Sequence, residues 1–346
     1  MPSMMEGSPA NPQQSGSPHK VSAWLHPAQA RLVGVLGDAC GLSITRAGGP
    51  VDHHRVCADL SAGAAVDDAR RMFVEAETQA VLLFDTTGMV GGKAGDEARH
   101  VGAAISRGVK VISLDPIPGT AFEPAGAETG LGGLLMLASM RTMPAMREAG
   151  ELLQSFGHPT AMIVEAIAGS GETSMGSRLF DAMGMVFAVM GEAESVAAAY
   201  VPATTLGGGP PGETLRDLRG TLSATLRFSD GRSASVVASD RGAAWRRSAT
   251  MLSARGRFTM SDDGFEWRDE SGVQIDSWAA KAPTGPAAGW RAAEVMGESL
   301  SRLLDPLLSA EPKIDTAGVM CLCQTALLSC RTMQMESLST VKRMVG

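Results

Sequence analysis

The sequence predicts an α/β plus α+β chain, with a parallel-sheet domain first and an open, mainly antiparallel sheet second. Two patterns and the length carry that prediction. A complete βαβ unit reads off residues 79–118. Between Thr221 and Ile275, short alternating runs separated by Gly and Asp have the spacing of an antiparallel meander. With 346 residues, 44% of them hydrophobic, the chain can bury two cores.

The βαβ unit is the clearest segment. Ala80–Phe84 (AVLLF) is a continuous apolar run, as expected of a strand buried on both faces. A glycine-rich loop follows, then a helix capped at Gly95 or Asp96, with Val101, Ala104 and Ile105 on one face. Gly108 stands where the helix needs a left-handed terminating residue. Val109–Leu114 is the second buried strand, closed by Asp115-Pro116. In such a sheet, ligands bind beyond the carboxyl ends of the strands.

This frame resembles the glucose–fructose oxidoreductase and inositol dehydrogenase family of NAD(P)-dependent oxidoreductases. The resemblance lies in Gln79-Ala80-Val81, Arg107-Gly108-Val109-Lys110-Val111 and Leu114-Asp115-Pro116. It implies a reduced Rossmann-like domain followed by a substrate domain. The family's lysine, which contacts cofactor and substrate, falls on Asp115, and only Pro116 of that signature is kept. The family's Asp and His, four residues apart on a helix here spanning Ser174–Met190, fall on Ser177 and Asp181. No histidine occurs after His158, so the usual proton-transfer imidazole is absent from that half of the chain.

The resemblance frames the remaining segments. Residues 1–28 read as a disordered tail, 29–130 as a degenerate dinucleotide-binding domain, and 131–346 as an α+β substrate or dimerisation domain with C-terminal helices. Arg31–Leu36 reads as the first strand, and Gly34, Gly37 and Gly41, within and after it, have a spacing unlike G-x-G-x-x-G. Arg55–Asp59 reads as the next strand, with Asp59 near the ~20-residue distance of a ribose-binding acid. Cofactor contacts are therefore expected at Gly34, Gly37, Asp59 and Pro116, and catalytic roles at Asp115 and Asp181. His158, before a proline, reads as a turn residue. His53 and His54, adjacent on a strand, would point to opposite faces and could not share a metal.

Later elements are more regular. Met143–Phe156 is helical, Thr160–Ala168 is a strand, and Asp230-Gly231 is a two-residue hairpin turn. Trp245, Trp267 and Trp278 are packing residues of the sheet. Asp315 caps a buried helix, Thr316 to about Met333, on which Cys321, Cys323 and Cys330 are core residues, not metal ligands.

Composition narrows the function classes. Thirty basic against 37 acidic residues give a net charge of −7, which argues against sequence-independent nucleic-acid binding. Five cysteines suit a reduced, cytoplasmic compartment, and no apolar run reaches membrane-spanning length. The leading expectation is a catalytically degenerate protein that binds a small ligand or a partner subunit and no cofactor tightly. An active sugar or polyol oxidoreductase would use NAD(P), Asp115 and Asp181. A structural subunit would pair with a competent paralogue. A homodimer or heteromer is expected through the sheet face bearing Thr221, Ser223 and Thr225.

Overall fold

The computed structural model describes residues 18–74, 78–86, 96–122, 131–203, 209–305 and 315–345. The expected glycine-rich loop and Gly95 cap lie outside these residues. The chain opens with strand β1 (His19–Trp24), a 3-10 turn over Pro27–Gln29, helix α1 (Ala30–Cys40) and β2 (Leu42–Gly48). Then come α2 (His53–Asp59), β3 (Ala64–Val66), α3 (Ala69–Val74), β4 (Ala80–Leu83), α4 (Asp96–Ser106), β5 (Lys110–Ser113) and β6 (Leu135–Met136). Helices α5 (Pro144–Glu148) and α6 (Gly150–Phe156) lead to β7 (Ala161–Gly169) and α7 (Met175–Met190). The meander is β8 (Ser195–Pro202), β9 (Gly220–Arg227), β10 (Ser233–Gly242), β11 (Arg246–Ser253), β12 (Gly256–Ser261), β13 (Gly264–Arg268) and β14 (Gln274–Ala279). Helices α8 (Arg291–Leu304), α9 (Thr316–Thr332) and α10 (Leu338–Val345) close the chain, with a short β15 (Glu336–Ser337) before the last.

Two sheets result. The first has the order β3-β2-β1-β4-β5-β6, every pair parallel. The second has nine strands in the order β14-β13-β12-β11-β7-β10-β9-β8-β15; β7 and β10 run parallel and the other pairs antiparallel. This is the predicted α/β plus α+β architecture: a Rossmann-like sheet followed by an open, mainly antiparallel one. Gly108 has φ +85 and ends α4 as expected, and Asp315 caps α9 by accepting from Gly318 N–H. The hairpin between β9 and β10 is longer than two residues: Phe228 N–H donates to Arg232 O around Ser229-Asp230-Gly231.

The amino-terminal reading needs correction. The sheet's central strand is His19–Trp24, inside the segment expected to be a tail. Arg31–Leu36 is helix, and Arg55–Asp59 is helix too. Leu32, Val33 and Leu36 recur at helical spacing and are buried. They pack with Ala293, Met296 and Leu300 of α8, so a late helix completes the first core. Burying each such leucine fully contributes about 1.5–3 kcal/mol. Gly34 and Gly37 therefore sit in a helix interior, and a Cβ at either would find its nearest neighbour 4.0 Å away. His53 and His54 both lie in α2, their ring centres 4.3 Å apart and their planes tilted by 43°. Among the described residues no helix is long and apolar enough to cross a membrane, and no three metal-binding side chains cluster.

Glycine in a helix interior costs about 1 kcal/mol relative to alanine. Gly34→Ala is expected to raise unfolding stability by about 0.5–1 kcal/mol in denaturant titration. Destabilisation by this substitution would mean that the glycine serves a turn after all.

Candidate functional site

The carboxyl ends of β1, β4 and β5 meet the start of α7, the start of β9 and the end of β10 in the second sheet. Between them lies a cavity of about 200 Å³. It opens where the strand order reverses, beside β1 and β4, the position at which such sheets bind ligands. The first domain contributes His26, Ala28, Gln29, Phe84, Asp85 and Asp115. The second contributes the Ser170–Ser174 turn, Arg219, Asp240 and Arg241.

The loop from β1 to α1 is where a dinucleotide fold presents free backbone donors to a pyrophosphate. Here it reads Leu25-His26-Pro27-Ala28-Gln29, with no glycine, and its donors are spent. His26 N–H donates to Gln29 Oε1 at 2.9 Å, and Ala28 N–H donates to His26 Nδ1 at 3.1 Å. Gln29 N–H donates to His26 O, Ala30 N–H donates to Pro27 O, and Pro27 has none. Gln29 Nε2 then ties the turn to Phe84 O at 3.0 Å. Since Nδ1 accepts, the imidazole carries its proton on Nε2. Burial first, and Arg219 second, hold its pKa below the ordinary histidine value. The ribose-binding acid is missing as well. β2 ends in Gly48-Gly49, where a Cβ would lie 2.0 Å from Val66 O and Leu25 O respectively. Gly34, Gly37 and Asp59 lie outside the cavity, and Asp59 instead pairs with Arg55 across one turn of α2 at 3.6 Å. Pro116 is buried and does not line the cavity either. The dinucleotide implied by the fold does not fit this loop.

Asp115 does reach the cavity, yet it is only 2% exposed and its oxygens are engaged. Ser174 Oγ donates to Oδ1 at 2.6 Å, while Thr86 N–H and Oγ1 donate to Oδ2 at 3.1 and 3.2 Å. Ser174 is also the N-cap of α7, accepting from Ser177 N–H. The carboxylate thus steadies the positive end of that helix and joins the two domains. Ser177, at the family's Asp position, donates to Leu114 O at 2.6 Å.

Asp181 lies one turn further along α7, fully inside the protein. Met140 N–H donates to it at 2.6 Å, and Arg178 and Arg247 flank it at 3.4 and 3.5 Å. Arg247 binds Asp262 through Nε and Nη2 and donates to Ala138 O. Trp245 donates to Asp262 at 3.0 Å and lies under the Arg178 guanidinium, 4.2 Å from its ring centre. Burial pushes the Asp181 carboxyl up against the pull of both arginines, and pushes Arg178 down to about 10. Burial also works against Arg247, yet Asp262 and Asp181 outweigh it and raise its pKa. Two acids and two bases balance in this buried quartet. The space beside it, lined by Leu114, Ser139 and Ser177, is about 10 Å³, too small for more than a water molecule.

Solved structures extend this comparison. An oxidoreductase from Agrobacterium radiobacter in complex with NAD+, L-tartaric acid and magnesium matches at TM-score 0.64 and 13% identity, over 93% of this chain and 99% of that one. A levoglucosan dehydrogenase in complex with NADH and levoglucosan matches at 0.62 and 13%, over 92% and 99%. Apo scyllo-inositol dehydrogenase from Lactobacillus casei matches at 0.62 and 13%, over 93% and 99%. The chain has the fold of these NAD-binding sugar and polyol dehydrogenases. No family model and no curated protein matches it in sequence.

Sequence reasoning missed His26, Gln29, Arg219 and Arg241. The alternation of Val21, Ala23 and Leu25 before His26-Pro27 was the available signal for the true first strand. His158 is exposed between α6 and β7 and does not line the cavity.

Removing one member of a buried ion network leaves its partners uncompensated, at about 3–5 kcal/mol. Asp181→Ala is expected to lower unfolding stability by that amount in urea titration. A stability change under 1 kcal/mol would instead fit an acid held ready for proton transfer.

Proposed function

We propose that this protein is a catalytically degenerate relative of the NAD-dependent sugar and polyol dehydrogenases that binds a small hydroxylated molecule in its interdomain cavity. The observation that carries this reading is the closed turn at His26–Ala30. A pyrophosphate there would have to displace hydrogen bonds the turn already makes to itself. Charge-assisted donors are worth ~1.5–3 kcal/mol each, so losing two weakens a micromolar cofactor a hundredfold or more. Two further observations act on the chemical step. Asp115 stands in place of the lysine, and Asp181 is locked between two arginines in place of the histidine. General base catalysis contributes ~10²–10⁴ in rate. The ligands of the similar structures, levoglucosan and L-tartaric acid, support a small hydroxylated ligand class.

Calorimetric titration of NAD, NADP and their reduced forms is expected to show no binding tighter than about 100 µM, by the hundredfold loss above. Nicotinamide absorbance is expected to stay flat over a polyol panel. A low-micromolar dissociation constant, or substrate-dependent reduction abolished by Asp181→Ala, would mean an active oxidoreductase holding NAD(P).

A partner role has its own support. Thr221, Ser223 and Thr225 belong to the outer face of the nine-stranded sheet. There the row Ala197, Thr225, Ser235, Ile163 and Thr250 is continuous across five strands. It is built of small and β-branched residues, and Ile163 is 51% exposed. Such a face allows close approach of a second sheet, from another copy or from a related subunit. Sedimentation at micromolar concentration is expected to show a dimer that Thr225→Arg dissociates. A monomer, alone and with candidate paralogues, would refute the assembly.

A further inference from the structure

The second-domain wall of the cavity is cationic. Arg219 immediately precedes β9, and Arg241 lies near the end of β10. Between them Asp240 is buried, accepting Gly220 N–H at 2.8 Å. Its oxygens lie 4.0 Å from Arg219 Nε and 3.6 Å from Arg241 Nε. One carboxylate against two guanidinium groups leaves a positive charge on this wall. The arginine side chains are 40% and 47% exposed, so both present donors to an incoming group. Arg219 is held in place, since its Nη1 donates to Arg216 O and Leu218 O.

The opposite wall is acidic. Asp115 accepts hydrogen bonds there from Thr86 and Ser174, neutral donors that leave its charge in place, and Asp85 lines the same wall, so the cavity is polarised with its positive side at the arginines. His26 also lines the cavity, and burial first, with Arg219 second, lowers its pKa. Thr173 adds an independent observation. It borders the cavity, is 6% exposed, and its hydroxyl is shielded from solvent without a hydrogen-bond partner. Buried hydroxyls are ordinarily satisfied, and a ligand oxygen would satisfy this one.

Building on the ligand-binding reading above, we propose that the cavity selects an anionic ligand, a carboxylate or phosphate ester on a short hydroxylated chain. Its charge seats against Arg219 and Arg241, and Thr173 supplies a further donor.

The test is calorimetry on the full chain with gluconate, glucose 6-phosphate and inorganic phosphate, against glucose and sorbitol as neutral probes. At least one organic anion is expected to bind, with affinity falling as salt rises, and the neutral probes are expected to bind at least tenfold more weakly. Comparing gluconate with glucose 6-phosphate distinguishes a carboxylate from a phosphate ligand. Arg241→Gln is expected to weaken anion binding at least tenfold, about the loss of one charge-assisted hydrogen bond. Arg246→Gln, on the outer face of the sheet, is expected to leave binding unchanged. Thr173→Val is expected to weaken binding while raising the melting temperature of the ligand-free protein, a split that a purely structural threonine would not give. Neutral polyols binding as well as anions, no anion binding at millimolar concentration, or unchanged affinity in Arg241→Gln would each overturn the proposal. Those results with NAD still unbound would leave the degenerate reading standing. Low-micromolar NAD binding would refute that reading separately.

Discussion

The chain leaving the first sheet is anchored by four charges buried together. Arg178, Asp181, Arg247 and Asp262 are each less than a tenth exposed. Desolvating such groups costs several kcal/mol per ion, and the cost is recovered only when every charge is matched and hydrogen-bonded. Here the matching draws on α7, β11, the turn after β12, and the segment after β6 that supplies Ala138 O and Met140 N–H. Moving the segment after β6 would strip Met140 N–H from Asp181 and Ala138 O from Arg247. The quartet therefore fixes where the chain leaves the first sheet, against the same helix, α7, whose N-cap Ser174 borders the cavity.

The same principle of satisfied polar groups runs through the rest of the cleft. A working dinucleotide site keeps backbone donors unpaired until the cofactor arrives, and a working acid–base site keeps a titratable group poised. Neither is stabilising in the empty protein. In this chain the β1–α1 turn caps itself, Ser177 bonds Leu114, and Asp115 bonds Ser174 and Thr86. Each position that would hold unsatisfied potential in an enzyme has been given an internal partner. Thr173 and the arginine pair at Asp240 depart from that rule, and they fall on one wall of one cavity.

The legibility of the sequence followed the same physics. The βαβ unit at residues 79–118 was readable because both strands are buried on two faces and so read as apolar runs. The meander was readable because one sheet face is buried and alternation survives. Arg31–Leu36 misled because four apolar residues and a glycine fit a buried strand as well as a helix turn. Only the following residues, Gly37 to Gly41, settle the period, and two interior glycines lower helix propensity there. That error displaced the sheet by one strand and assigned His26 to a tail. The role of Asp181 was not legible locally, since Arg247 and Asp262 approach it from another strand and turn. Ion partners distant in sequence leave no spacing to read.

Under the degenerate reading, cofactor and chemistry are lost at separate places, and that separation bears on how the fold persisted. The closed turn is local to residues 26–30 and strains nothing, since Pro27 suits the first position of a turn and His26 and Gln29 cap one another. The quartet lies within the second domain and holds the segment after β6 without reference to that turn. Restoring glycines to the loop would reopen a phosphate site and leave Asp181 paired. Restoring a histidine at position 181 would break the quartet and still meet a closed loop. Neither single step regains turnover, and the second costs stability. A chain in this state stays folded and keeps a shaped cavity, and what that cavity can select is left to the groups still facing it, Arg219, Arg241, Thr173 and His26.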